Sequence, residues 1–226
     1  MTRPWETLDR VDTPEGPLVL LRRGARELMI TIDGRVLMNG VANRSELALA
    51  ELACAPLHDN PAPAVLIGGL GLGFTLRAAL NALPASARVT VAELNETVVR
   101  WCRGPAADLT AHAVDDPRVR VELGDVAAMI ARTAKAPPSR NRFDAILLDL
   151  YEGPHEATQR RDDPFYGPTA LGRTRAALTP DGIFAVWSEE RDAAFEKRLV
   201  TAGFQVERKR AGRGGRRHVI YLARPR

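Results

Sequence analysis

The stretch Ala64 to Gly73, AVLIGGLGLG, decides the fold. Its opening apolar run reads as a short strand buried on both faces, and the glycines that follow read as a tight turn. FTLRAALNAL then has the composition of a helix, so the segment is a strand, a glycine turn and a helix. The same grammar repeats downstream. VTVAE (Val89 to Glu93) is a second apolar strand ending in an acid, followed by helical NETVVRWCR. RVRVELGD (Arg118 to Asp125) is a third strand before the helix VAAMIART, and FDAILLDL (Phe143 to Leu150) is a fourth. PTALGRTRAAL reads as a helix and GIFAVWS (Gly182 to Ser188) as a fifth strand. After the helix DAAFEKRLVTAG come two alternating strands, FQVERKR and HVIYLARP, joined by the glycine-rich AGRGGR. Strands alternating with helices predict an α/β chain whose doubly wound, mostly parallel seven-stranded sheet closes with a C-terminal antiparallel hairpin.

Upstream, Pro17 to Leu37 alternates and turns like hairpins, with turn signals at Gly24 and at Asp33-Gly34. Residues 1–44 are therefore expected to form a small N-terminal β region and residues 45–226 the main domain. SELALAELACAPL is the first helix, with Ser45 expected as its N-cap and the Pro56 region as its stop.

The chain has 226 residues, 45% of them apolar and 27% charged, which fits one globular domain with a small appendage and fits disorder or a disulfide scaffold poorly. No apolar run reaches membrane-span length, and MTRPWETLDR has no stretch of signal-peptide type, so a cytoplasmic protein without membrane contact is expected. Cys54 and Cys102 read as reduced, partly buried small side chains. His58, His112, His155 and His218 show no ligand spacing, so no metal site is expected. Net charge is +4, yet residues 207–226 carry eight basic side chains against Glu207 alone. With only three lysines beside 29 arginines, arginine is the default surface cation here. The cluster therefore reads as a solvated hairpin loop in preference to a nucleic-acid site.

In a doubly wound sheet, ligands lie beyond the carboxyl ends of the strands, so residues at those ends carry most weight. Gly69, Gly71 and Gly73 let backbone approach a ligand closely, with a helix N-terminus behind them. Glu93, 20 residues after Gly73, has the spacing of an acid that accepts hydrogen bonds from both ribose hydroxyls of a nucleoside. Gly124 leaves room for a base ring, and Asp125 can accept from an exocyclic adenine amine. Asp149 follows an apolar strand in LLDLYEGPH, where partial desolvation raises a carboxylate toward use as a base. The competing reading of Asp149 is a helix N-cap.

Together, VLIGGLGLGFTLRAAL, VTVAELNETVV, DPRVRVELGD, FDAILLDLYEGP and DPFYGPTALGRTRAALTPDGIFAV resemble the spermidine synthase-like branch of the class I S-adenosylmethionine-dependent, Rossmann-like methyltransferase fold. ELMITIDGRVLMNGVANRSELALAELACAPL resembles the N-terminal strands and first helix of those synthases. The resemblance runs roughly from residue 25 to 190. It implies Gly69, Gly71 and Gly73 under the donor, Glu93 on its ribose and Asp125 beside adenine. It further implies that Asp149 takes up the incoming amine's proton or orients that amine, and that Glu152 fills the place of a second acid. Tyr151, His155 and Tyr166, in or next to the loop after the fourth strand, are candidates to line the acceptor pocket, against simple loop packing for each. Family analogy also suggests a homodimer through the N-terminal strands.

The departures concern the substrate. Synthases carry an Asp in the glycine loop that holds the donor's aminopropyl ammonium; Leu72 stands there, and leucine accepts no hydrogen bond. Leu37 replaces a Gln after the DG turn, and Leu49 and Ala50 replace polar and aromatic residues of the polyamine groove. The N-terminal sheet also looks small. These losses lead to the expectation of methyl transfer from S-adenosylmethionine to a small-molecule amine or hydroxyl, with a cationic acceptor suggested by Glu152 and Glu156. The alternative is aminopropyl transfer from decarboxylated S-adenosylmethionine to an amine, polyamine synthase-like. RNA methyl transfer and a non-catalytic binding module rank behind both.

Overall fold

The computed structural model describes residues 3–25, 27–137, 142–151, 153–211 and 218–226. Four antiparallel strands come first: β1 (Glu6–Thr13), β2 (Gly16–Arg23), β3 (Glu27–Ile32) and β4 (Arg35–Asn39), paired in that order. Helix α1 (Arg44–Cys54) follows. The main unit then runs β5 (Ala64–Gly68), α2 (Phe74–Ala82), β6 (Arg88–Glu93), α3 (Glu96–Arg103), β7 (Val119–Leu123), α4 (Val126–Lys135) and β8 (Phe143–Leu148). It finishes with α5 (Pro168–Ala177), β9 (Leu178–Ser188), α6 (Ala193–Thr201), β10 (Phe204–Ala211) and β11 (His218–Pro225).

The seven strands of the large sheet lie in the order β10-β11-β9-β8-β5-β6-β7, with β5 to β9 parallel and β11 antiparallel to both neighbours. This is the expected doubly wound sheet with its C-terminal hairpin. The chain winds from β5 outward to β7 and then crosses to β8 on the other side of β5. A crevice opens where such a winding reverses.

Alternate side chains of each strand feed two cores. Val65, Ile67, Val91 and Leu147 face α1, α2 and the N-terminal sheet, whereas Leu66, Ile146, Phe184 and Tyr221 face α4, α5 and α6. The central strands are buried on both faces because helices cover both sides of a parallel sheet. The helices start where capping side chains permit: Asn95, Asp125 and Asp192 each accept from backbone N–H groups at the start of α3, α4 and α6.

Three boundaries differ from those expected. Strand β1 went unread, because ETLDRVDT has no apolar period, and with it the N-terminal sheet reaches four strands. Ser45 is not a cap: α1 begins at Arg44 after Asn43, and the Ser45 hydroxyl donates instead to Glu46 Oε2 at 2.6 Å. Strand β9 starts at Leu178, four residues early. Both cysteines are buried and free. Of the C-terminal basic cluster, Arg208 pairs with Glu196 at 2.9 Å and Lys209 pairs with Glu207, while residues 212–217 lie outside the described residues. Among the described residues no helix is long and apolar enough to cross a membrane.

Candidate active site at the strand ends

A cavity of about 490 Å³ opens at the carboxyl ends of β5, β6 and β8. Its floor is the glycine turn after β5. Gly69 adopts φ +89°, and a Cβ there would stand 2.4 Å from the Asp149 carbonyl oxygen, so only glycine lets this turn pass beside the β8 loop. Gly71, at φ +52°, lies under the Met38 thioether of β4, which a Cβ would meet at 2.6 Å. Gly73 stands at the N-cap of α2. The N-terminal sheet forms the opposite wall through Leu18, Ile30, Leu37 and Met38.

Glu93 ends β6 and binds the turn directly. Its Oε2 accepts from the Leu70 N–H and its Oε1 from the Asn95 N–H, both at 2.9 Å. Burial pushes its carboxyl upward, against the pull of these backbone donors. Each carboxylate oxygen has a further lone pair, so the side chain can hold the turn and still accept from a ligand hydroxyl. On the next strand, Gly124 has open space where a side chain would be, and Asp125 lines the cavity while its Oδ1 accepts from the Ala127 N–H at 2.8 Å.

Asp149 follows β8 and lines the cavity as well. It caps no helix. Its Oδ2 accepts from the Thr75 hydroxyl, and its carboxyl is raised to about 7, first by burial and then by the charge of Glu46, with the Thr75 bond pulling the other way. Such a group exchanges its proton near neutral pH. Glu46, in the first turn of α1, was missed in the sequence. It is 7% exposed and lines the same cavity. The signal was available: Glu46, Leu49, Ala50 and Ala53 form the buried stripe of α1, and a carboxylate on such a stripe needs a reason.

The remaining candidates separate. Tyr151 is 39% exposed and lines the cavity mouth, with the Arg35 guanidinium 5.6 Å from its ring centroid. His155 does not line the cavity: its Nδ1 accepts from the Ala157 N–H at 3.3 Å and caps a short 3-10 helix. Tyr166 does not line it either. It is 2% exposed and packs edge-on against Phe195, and Phe165 takes the place expected for it in the lining. Glu152 lies outside the described residues. Leu72 is fully buried and turned into the core, as are Leu49 and Ala50, whereas Leu37 does face the cavity.

Comparisons with known proteins agree on this architecture. Residues 48–206 match the family described as the spermine/spermidine synthase domain. A polyamine aminopropyltransferase of Clostridium tetani is 28% identical over 186 residues, covering 81% of this chain and 61% of that protein. One from Mycobacterium tuberculosis is 28% identical over 188 residues, covering 80% of this chain and 34% of the relative. The chain thus spans about three fifths and one third of those relatives. The crystal structure of spermidine synthase from Thermotoga maritima superposes with a TM-score of 0.73 at 19% identity, covering 96% of this chain and 72% of that one. A spermidine synthase in complex with the transition-state analogue AdoDATO gives 0.71 at 19% identity, covering 96% and 71%.

Proposed function

Since the chain belongs to the spermine/spermidine synthase family, we propose that it transfers an aminopropyl group from decarboxylated S-adenosylmethionine to an amine of the polyamine class. The expectation of methyl transfer from S-adenosylmethionine is corrected by this membership: the matched domain is named for spermine/spermidine synthase, and the relatives of both organisms are named polyamine aminopropyltransferases. That expectation rested on Leu72, and the absence of an acid from one turn does not remove acids from the cavity.

The residues present fit the donor. Gly69 and Gly71 put bare backbone in the cavity lining, Glu93 has carboxylate lone pairs that would accept from ribose hydroxyls, and Asp125, in the same lining, would accept from an adenine amine. The donor supplies an aminopropyl carbon activated by its bond to a sulfonium. The acceptor amine attacks that carbon, forming a C–N bond while the C–S bond breaks and the sulfur leaves as a neutral thioether. The new nitrogen sheds a proton, and Asp149 takes it. A carboxyl raised to about 7 is matched to that task, and Thr75 fixes its orientation. The observation carrying the reading is the match of residues 48–206 to the spermine/spermidine synthase domain, with Asp149 in the lining of the cavity those residues help to form.

The test is chromatography of reactions containing decarboxylated S-adenosylmethionine and a set of linear diamines and polyamines. Methylthioadenosine should form with at least one of them and vanish with Asp149→Asn. Adenosylhomocysteine from S-adenosylmethionine, with no methylthioadenosine from the decarboxylated donor, would overturn the reading.

A further inference from the structure

Glu46 has no part in the scheme above, yet it stands in the cavity. It enters from α1, a different element from those that carry Glu93, Asp125 and Asp149. The two ends of the pair are tied together through Thr75, whose hydroxyl donates to Asp149 Oδ2 and lies 3.5 Å from the Glu46 carbonyl oxygen. The groups that perturb Asp149 are burial, the Glu46 charge and the Thr75 bond; no cation is among them. Arg35, the cation of the described lining, sits over the Tyr151 ring. Burial and the Glu46 charge both oppose ionisation of Asp149, and a bound cation relieves that cost. Trp187 lines the cavity as well, and its indole N–H is buried without an acceptor among the described residues.

We infer that Glu46 is a substrate-anchoring residue whose carboxylate, beside Asp149, holds a primary ammonium group of a bound substrate. Leu72 faces the core, so the glycine turn offers no acid to that group; Glu46 offers one from α1. An ammonium is a compact point charge with three donors and suits two carboxylates of different origin. The inference deepens the aminopropyl-transfer reading and rests on it for the identity of the substrates. Both the donor's aminopropyl end and the acceptor amine carry such a group.

Isothermal titration of wild type, Glu46→Gln and Glu46→Asp decides it, using methylthioadenosine, decarboxylated S-adenosylmethionine and 1,4-diaminobutane as probes. Methylthioadenosine has no ammonium, so Glu46→Gln should bind it as wild type does, which also shows that the variant is folded. Affinity for an ammonium-bearing probe should fall at least tenfold in Glu46→Gln and recover in part in Glu46→Asp. A fall confined to the decarboxylated donor assigns the donor's ammonium; a fall confined to the diamine, added to protein saturated with methylthioadenosine, assigns the acceptor's. Equal affinity of wild type and Glu46→Gln for both ammonium probes overturns the inference. If wild type binds neither nucleoside, the transfer reading fails, and the diamine arm alone then decides Glu46: unchanged or absent diamine binding overturns it.

Discussion

The Thr75 hydroxyl donates to Asp149 Oδ2 at 2.5 Å, tying the first turn of α2 to the loop after β8. This bond favours the charged carboxylate and opposes both burial and Glu46, so it tunes the acid as well as placing it. Thr75→Val keeps the shape and removes the donor. The acid limb of the pH–rate profile should therefore move to higher pH in this variant, and Glu46→Gln should move it to lower pH. Rates measured from pH 5 to 9 check both directions; shifts of the same sign would contradict this account of Asp149.

Turnover of the wild type should rise with pH through about 7, as Asp149 gives up its proton. Asp149→Asn should lower turnover by about 10²- to 10⁴-fold and abolish that limb.

Stability has the opposite sign. An acid whose folded value is raised binds its proton more tightly in the folded chain than in the unfolded one. Its contribution is present below about pH 4 and is lost as pH rises through about 7. Asp149→Asn should accordingly gain in thermal midpoint relative to wild type between pH 5 and pH 8. A difference that stays constant across that range would show that Asp149 titrates normally.

Glu93→Gln keeps one acceptor oxygen but turns an amide towards either Leu70 or Asn95, leaving one of those N–H groups facing a donor. Methylthioadenosine affinity should drop about 10- to 100-fold, the cost of losing charge-assisted bonds of roughly 1.5–3 kcal/mol. Titration of the variant measures it.

Two neighbouring glycines should respond unequally. Gly69→Ala drives a Cβ into the Asp149 backbone at positive φ and should cost at least about 2 kcal/mol in denaturant unfolding. Gly71→Ala meets only the end of a flexible methionine and should cost about 1–2 kcal/mol, chiefly for the left-handed backbone. Reversal of that order would mean the turn moves more readily than the β8 loop bonding suggests.

Much of this was written locally in the chain. Apolar runs, glycine turns and acids at strand ends have short-range signatures, and these located the large sheet, its closing hairpin and the positions of Glu93, Asp125 and Asp149. The parts that were not legible depend on direction or distance. Tyr166 and His155 lie near the right loop, but sequence proximity says nothing about which way a side chain points, and one turned to the core while the other capped a helix. Strand β1 is held by pairing to β2 and carries only a partly buried face, so its own residues did not announce it. Glu46 precedes the glycine turn by more than twenty positions and reaches the cavity only because α1 packs across α2. The expectation of methyl transfer weighed Leu72 as a lost anchor, and the carboxylate on α1 did not enter it.

Strand order also works as a ruler. Glu93 and Asp149 stand at the ends of β6 and β8, which flank β5, so the two acids are separated by two strand spacings, about 10 Å. That interval is set by backbone hydrogen bonds in the middle of the sheet, where no rotamer change can alter it. Under the proposed transfer, sequence drift in the walls can exchange one acceptor for another, but the reach from ribose to transferred carbon is set by the sheet itself.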